Sequence, residues 1–285
     1  MSTTVAAPRD DAFVARLAGN VAALQAVQAI FRIGSTAAGK DDALSDVDLL
    51  AVCDRIPATH HRLRCYRCSL CDGAPLRLET LNLKSWEFGT SDSFSVAGTS
   101  VCLMYYLAPE LLAKIDDICA GDGERRGFYH PTGFLNALAT AQAMSTSQAE
   151  ARLAEIFGKA RSYPDALRRT LVHRNWYLMN YFVEKMAVGL ARGDLFYSQQ
   201  CVFHLREAAL TLLFALAGRY RVSDKRIPDA LAACRSLVPE PLWEIARELI
   251  ELDTYSRQAM RDLARTLEPR IKRLEASQWR RATTF

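Results

Sequence analysis

The sequence contains no apolar run long enough to cross a membrane. Its longest, Ala208 to Ala217 with Thr211 inside, falls far short of the roughly 18–20 residues that a bilayer span requires. Near the start, Arg9, Asp10 and Asp11 stand where a secretory leader would carry its apolar core. Both absences lead us to expect a soluble, cytoplasmic protein with no membrane partner. Neither charge sign dominates: 36 basic against 32 acidic side chains leave +4, a weaker excess than a dedicated nucleic-acid binder carries. Internal repeats and low-complexity segments are missing, and a composition 50% hydrophobic and 24% charged excludes a disordered chain. A chain of 285 residues can bury a core without a disulfide framework. Its eight cysteines are therefore expected as thiols or metal ligands in reducing surroundings.

That length is about twice a common domain of about 100–150 residues, which points to two domains. The first half mixes periods. Phe13, Leu17, Val21 and Leu24 mark an amphipathic helix over Asp11 to Val27. Strands are expected at Ala29–Ile33, Asp46–Val52, Leu76–Leu83 and Ser100–Tyr106, with a helix from Pro57 to Cys71 and a turn at Asp72 to Pro75. Beyond about Thr132 we find no strand pattern. Helical patterns there are cut at Ser162-Tyr163-Pro164, at Arg192-Gly193-Asp194 and from Arg221 to Pro228. Ala209, Leu212, Leu213 and Leu216 line one helix face, and Trp243, Ala246, Leu249 and Ile250 another. The amphipathic stretch from Asp253 to Arg281 should kink or break at Pro269. The expected architecture is α/β (α+β) with a small mixed sheet over residues 1–120, then an all-α helical bundle over 121–285. The Gly-rich, charged segment Gly121 to Gly127 should join them.

One segment carries chemistry. An apolar strand, Phe31-Arg32-Ile33, ends in Gly34-Ser35, and ten residues later comes Asp46-Val47-Asp48-Leu49. Strand alternation puts Asp46 and Asp48 on one face. Two carboxylates so close repel unless a hard dication neutralises them, and Mg²⁺ prefers oxygen ligands. Gly34, without a Cβ, lets the backbone approach a phosphate closely, and Ser35 can offer it a hydroxyl and an amide.

This arrangement resembles the signature of the DNA polymerase β-like nucleotidyltransferase superfamily: an apolar residue, Gly, Gly or Ser, a gap, then Asp-apolar-Asp-apolar, here preceded by Ser45. The resemblance implies a third carboxylate on a later strand. Leu78-Glu79-Thr80-Leu81 fits that place, with Glu87 as its rival. Ser162-Tyr163-Pro164-Asp165, Trp176, Arg192-Gly193-Asp194 and Arg219-Tyr220-x₄-Lys225 resemble the helical C-terminal half of bacterial nucleotidyltransferases related in plan to the aminoglycoside and lincosamide enzymes. The chain departs from that pattern at Arg226, where an aromatic residue is expected. What the resemblance implies is transfer of a nucleoside monophosphate from an NTP, ATP by preference, to a hydroxyl of a small molecule. Asp46, Asp48 and Glu79 would hold two Mg²⁺ (or Mn²⁺) ions for an in-line displacement, and Gly34, Ser35 and Lys225 would contact the nucleotide. Glu184 and Glu207 are candidates to assist deprotonation, although a surface salt-bridge role suits both.

Other readings compete. An RNA- or protein-modifying transferase would use the same chemistry, but the balanced charge argues against RNA. A non-catalytic nucleotide-binding module would have little use for an intact acidic set. The spacing of Cys65, Cys68 and Cys71, with His60 and His61 upstream, is too tight for a closed zinc site on a helix, so no structural zinc is expected. Arg168-x₄-His173 resembles a motif of small ribonuclease domains but arises easily in a basic helix. The basic end from Arg270 to Arg281 reads as a solvated helix face. Between Trp176 and Tyr220 the second half holds Tyr177, Tyr181, Phe182, Phe196, Tyr197, Phe203 and Phe214. Most of these are expected to be core.

Overall fold

The opening apolar pattern folds as helix α1 (Asp11–Ala22), whose Phe13, Val14, Leu17 and Val21 are buried. A computed structural model describes residues 11–39, 45–70, 74–85, 89–121, 130–146, 150–221, 223–252 and 254–277. After α1 come β1 (Val27–Ile33), the single turn α2 (Gly34–Ala37), β2 (Val47–Cys53), α3 (Thr59–Cys68), β3 (Leu76–Ser85), β4 (Gly89–Val96) and β5 (Thr99–Leu107). Then follow α4 (Ala108–Ala120), α5 (Pro131–Ala139), β6 (Gln142–Thr146) and α6 (Glu150–Arg161). The six strands form one mixed sheet in the order β3-β4-β5-β2-β1-β6, with β2 and β5 parallel and the other neighbours antiparallel.

Two of these strands lie outside the sequence expectations. β4, Gly-Thr-Ser-Asp-Ser-Phe-Ser-Val, carries only two apolar side chains, so no alternation announces it. Hydrogen bonding to β3 and β5 makes it a strand. β6 corrects the expectation that no strand follows Thr132: it pairs with β1 at the sheet edge. The chain accordingly divides into a unit of residues 1–118 with 124–162, and a second of 119–123 with 163–285. The sheet thus draws on residues past 120 that the sequence assigned to the helical half. The connection expected at Gly121 to Gly127 lies outside the described residues except for Gly121.

β2 sits at the middle of the sheet because both its faces are apolar. Val47, Leu49, Ala51 and Cys53 pack with α1, Tyr66 of α3, and Val101, Leu103 and Tyr105 of β5. On the opposite face Leu50 and Val52 are also fully buried. That face is covered partly by α6, whose Phe157 ring lies 4.2 Å from Phe31 of β1. Burying a large apolar side chain contributes about 1.5–3 kcal/mol, so this strand anchors the unit.

A buried polar cluster ties α3 to the other half of the sheet. Arg62 Nε and Asp92 Oδ2 form an ion pair at 3.0 Å with both side chains essentially inaccessible. The Tyr66 hydroxyl donates to Asp92 Oδ2 at 2.5 Å and lies 2.8 Å from the Tyr105 hydroxyl. The backbone N–H of Asn82 donates to Asp92 Oδ1 at 2.9 Å, and the Asn82 side chain accepts from Arg62. Asn82 has φ of 56°, a left-handed conformation that Asn tolerates better than most residues. The cluster therefore holds β3 through its irregular stretch. It also pairs the buried charges of Arg62 and Asp92, either of which would be costly to leave alone.

The second unit is helical: α7 (Asp165–Arg192), α8 (Leu195–Leu216), α9 (Ile227–Ala232), a 3₁₀ turn (Arg235–Leu237), α10 (Glu240–Ile250) and α11 (Arg257–Ser277). The expected break at Arg192-Gly193-Asp194 is the α7–α8 turn. Gly193 closes α7 at φ 76°, and Asp194 caps α8 by accepting from the Tyr197 N–H at 3.0 Å. Gly189 lets the two helices approach: a Cβ there would stand 2.5 Å from Ser198 Oγ. At Pro269, where a kink or break is expected, α11 is not broken. The proline sits within the helix, removing one N–H bond, while Met260, Leu263, Leu267, Ile271 and Leu274 continue one buried stripe on both sides of it. Burial of that stripe outweighs the roughly 3 kcal/mol that an interior proline costs.

Candidate active site

β1 delivers the chain to Gly34, which adopts φ 76° and opens α2. β2 returns antiparallel beside β1 with Asp48 in register with Ile33. This hairpin sets the Asp48 side chain against the glycine: a Cβ on Gly34 would stand 2.5 Å from Asp48 Oδ2. Only a residue without a side chain fits there, both for its conformation and for the space. Asp46, two residues earlier, lies just before the first assigned residue of β2 and is exposed, whereas Asp48 is half-buried. Val47 and Leu49 between and beyond them are fully buried on the other face, which fixes the direction of the pair. Ser35 is half-buried on the turn that follows Gly34.

The neighbours of the pair follow from register. Asp48 is opposite Cys102 of β5, Cys102 is opposite Ser93 of β4, and Ser93 is opposite Thr80 of β3. Burial pushes the Cys102 thiol up to about 12, helped by the Asp48 charge, so it stays neutral beside the carboxylates. On this face β5 presents Ser100, Cys102 and Met104, and β4 presents Ser91, Ser93 and Ser95. Among the described residues these two strands add no carboxylate there. Asp92 faces the other way, into its pair with Arg62.

Glu79 is not brought to the pair. β3 is three strand spacings from β2, about 14 Å at about 4.8 Å each, with β5 and β4 between. Glu79 is also the extra residue of a bulge, since Leu78 pairs with Phe94 and Thr80 with the adjacent Ser93. The resemblance implied a third carboxylate at Glu79, and the sequence pattern did not show β4, which stands between β3 and β5. Its rival Glu87 lies outside the described residues.

No family model and no curated protein matches the chain. Among solved structures, it is similar to a nucleotidyltransferase-like protein from Exiguobacterium sibiricum 255-15, with 12% identity and a TM-score of 0.46 over 90% of this chain and 72% of that one. No helix among the described residues is long and apolar enough to cross a membrane.

The other candidates fall elsewhere. Lys225 is exposed in the second unit, in the turn before α9, where its backbone N–H donates to Ser223 Oγ at 3.2 Å. Arg226 beside it takes a left-handed φ of 56° at the start of that helix. Glu184 is exposed on α7. Glu207 accepts from Arg221 at 2.9 Å, and Arg221, only 2% exposed, also bonds Asp224 at 2.8 Å. That ion pair fits the salt-bridge reading of Glu207 better than a free base. Cys65 contributes to the α1–α3 contact by bonding the Asn20 carbonyl at 3.3 Å, Cys68 is exposed at the end of α3, and Cys71 lies outside the described residues. Arg168 reaches over the Tyr163 ring at 5.8 Å, while His173 is exposed on the same helix.

Proposed function

We propose that the corner formed by Gly34, Asp46 and Asp48 is the catalytic centre of a divalent-metal-dependent nucleotidyltransferase. It would transfer a nucleoside monophosphate, AMP from ATP, to a hydroxyl of a small molecule and release pyrophosphate. One observation carries the reading: the Asp48 carboxylate lies so close over Gly34 that a Cβ would stand 2.5 Å from it. A strand-end glycine and a paired acidic face in direct contact make a cradle, not two unrelated surface features. The donor set is all oxygen and open at Asp46, which suits Mg²⁺ or Mn²⁺. A bound dication would neutralise the two carboxylates together with the triphosphate.

Asp46 and Asp48 would hold such an ion, and Gly34 leaves room for a phosphate that a side chain would exclude. Ser35 offers a hydroxyl at the same turn. In the transfer the acceptor oxygen bonds to the α-phosphorus as the bond to pyrophosphate breaks, and the hydroxyl proton passes to water. With Glu79 about three strands away, the ion-holding role rests on the aspartates. The net charge of +4 favours a small acceptor over a polynucleotide. The test is a screen of hydroxylated compounds with labelled ATP and Mg²⁺, run beside Asp48→Asn. Labelled product with the wild type and none with the variant, at unchanged circular dichroism, is expected. Equal turnover by both would reject the assignment.

A further inference from the structure

Between the acidic pair and β3 the sheet face carries rows of hydroxyls. Asp46 stands one residue before Val47, which is in register with Val101, so its neighbour on β5 is Ser100. Ser100 is opposite Ser95 of β4, and Ser95 is opposite Arg77 of β3. The next row runs from Asp48 through Cys102 and Ser93 to Thr80. Phe94 and Val96 belong to the core on the other face, and Leu76 packs against that core. Alternation therefore turns Ser93, Ser95 and Arg77 toward the face of the acidic pair. Ser93, Ser95 and Cys102 are half-buried there, and Ser100, Thr80 and Arg77 are exposed.

Arg77 is the one cation that the strands place on this face among the described residues. Arg32, in register with Leu49, bonds Asp11 of α1 on the other face. Lys84 is opposite Thr90, which shares the face of Asp92. No described residue pairs with the Arg77 guanidinium.

We propose that the acceptor lies across β5 and β4 on these hydroxyls and carries an anionic group, a phosphate or a carboxylate, that Arg77 holds. This rests on the transferase reading above and gives it an acceptor class: a small hydroxylated compound with a negative charge. In-line displacement decides the side. The attacking and leaving oxygens stand on opposite sides of the α-phosphorus. Gly34 and Ser35 follow β1 and leave room for a phosphate on that flank of β2, so pyrophosphate departs toward β1. The hydroxyl then enters from the other flank, which is β5. There it meets Ser100, Ser95 and Ser93, whose hydroxyls both donate and accept. The far end of the acceptor reaches Arg77 of β3 two strand spacings beyond β5, about 10 Å at about 4.8 Å each. A guanidinium presents its donors as a planar fork that matches either oxyanion. A neutral acceptor would leave it unpaired, and a polynucleotide would need further cations along the rows, where the described residues place none.

The experiment is calorimetry on the full chain loaded with Mn²⁺ and α,β-methylene ATP, whose bridging carbon blocks transfer. The probes are matched pairs, glucose beside glucose 6-phosphate and galactose beside galacturonate, which separate phosphate from carboxylate. In at least one pair the anionic member should bind about tenfold or more tightly. Arg77→Ala should remove that difference and Arg77→Lys should restore part of it, both with unchanged affinity for the nucleotide analogue. Lys84→Ala, exposed on the other face, should alter neither affinity. Failure of the wild type to bind Mn²⁺ and the analogue rejects the transferase reading and the proposal with it. With the analogue bound, equal binding of neutral and anionic members overturns the proposal alone, as does a preference for the anion that survives Arg77→Ala. Loss of the analogue in Arg77→Ala overturns it too and assigns the guanidinium to the nucleotide.

Discussion

Replacing Gly34 by alanine tests the cradle directly, because two separable costs are written into its geometry. The first is conformational. At φ 76° a residue with a Cβ costs about 1–2 kcal/mol relative to glycine. The second is steric: Asp48 Oδ2 would have to move from 2.5 Å to the 3.4 Å of ordinary contact, a retreat of about 0.9 Å. Val47 and Leu49, both fully buried, hold the backbone of β2, so the carboxylate itself must swing away. Displacing a ligand this far should weaken metal binding by about 10–100-fold, and a misplacement near 1 Å should cost about 100-fold in turnover. Gly39 supplies the control. It also has a left-handed φ, 64°, but a Cβ there meets nothing within 4 Å. Gly39→Ala should therefore lose stability to urea through the backbone cost alone and keep its metal affinity. Mn²⁺ titration followed by electron paramagnetic resonance reads the affinity without any acceptor. If Gly34→Ala binds Mn²⁺ as tightly as Gly39→Ala does, the contact between Gly34 and Asp48 has no part in the site.

Removing Arg62 as Arg62→Met should cost about 3–5 kcal/mol in urea unfolding, since Asp92 would be left as a buried charge without its partner; a loss below 1 kcal/mol would contradict the pairing. Burial pushes the Cys53 thiol from its ordinary value of 9.0 up to about 12, with the Asp54 charge adding to the rise. The folded state thus holds this proton more tightly than the unfolded one, so the contribution is complete below pH 9 and declines as pH rises toward 12. The slope approaches about 1.4 kcal/mol per pH unit for one thiol. Stability of Cys53→Ala should fall less steeply over that window, and identical slopes would refute the assignment. Pro269→Ala should raise stability by up to about 3 kcal/mol, because it restores an N–H to a helix that already continues through the position. A lower thermal midpoint would show that the ring makes a contact the helix needs.

Much of the candidate site's geometry was legible because its signal is local. β1, Gly34, Asp46 and Asp48 belong to one hairpin, so a strand ending in glycine and a period of two in the next strand were enough to put glycine and carboxylates together. Helix ends were legible for the same reason: Gly193 and Asp194 act on groups within one turn of themselves. What lay beyond reach depends on which segments become neighbours. β4 is a strand through its partners rather than its composition, and once it is inserted, the row beside Asp48 reads Cys102, Ser93 and Thr80 instead of Glu79. β6 likewise belongs to the sheet only through its bonds to β1. Helical periodicity marks Tyr177 and Phe196 as apolar without saying which apolar face is covered, and packing left these two outside while burying Met179 and Val202 nearby. At Pro269 a local preference for breaking the helix lost to the tertiary burial of the stripe on either side. In this protein the sequence by itself determined the glycine–aspartate hairpin, since every interaction that shapes it lies within a few residues. Strand order, the surroundings of the acidic pair and the exposed aromatic face were decided by long-range packing, which no local pattern encodes.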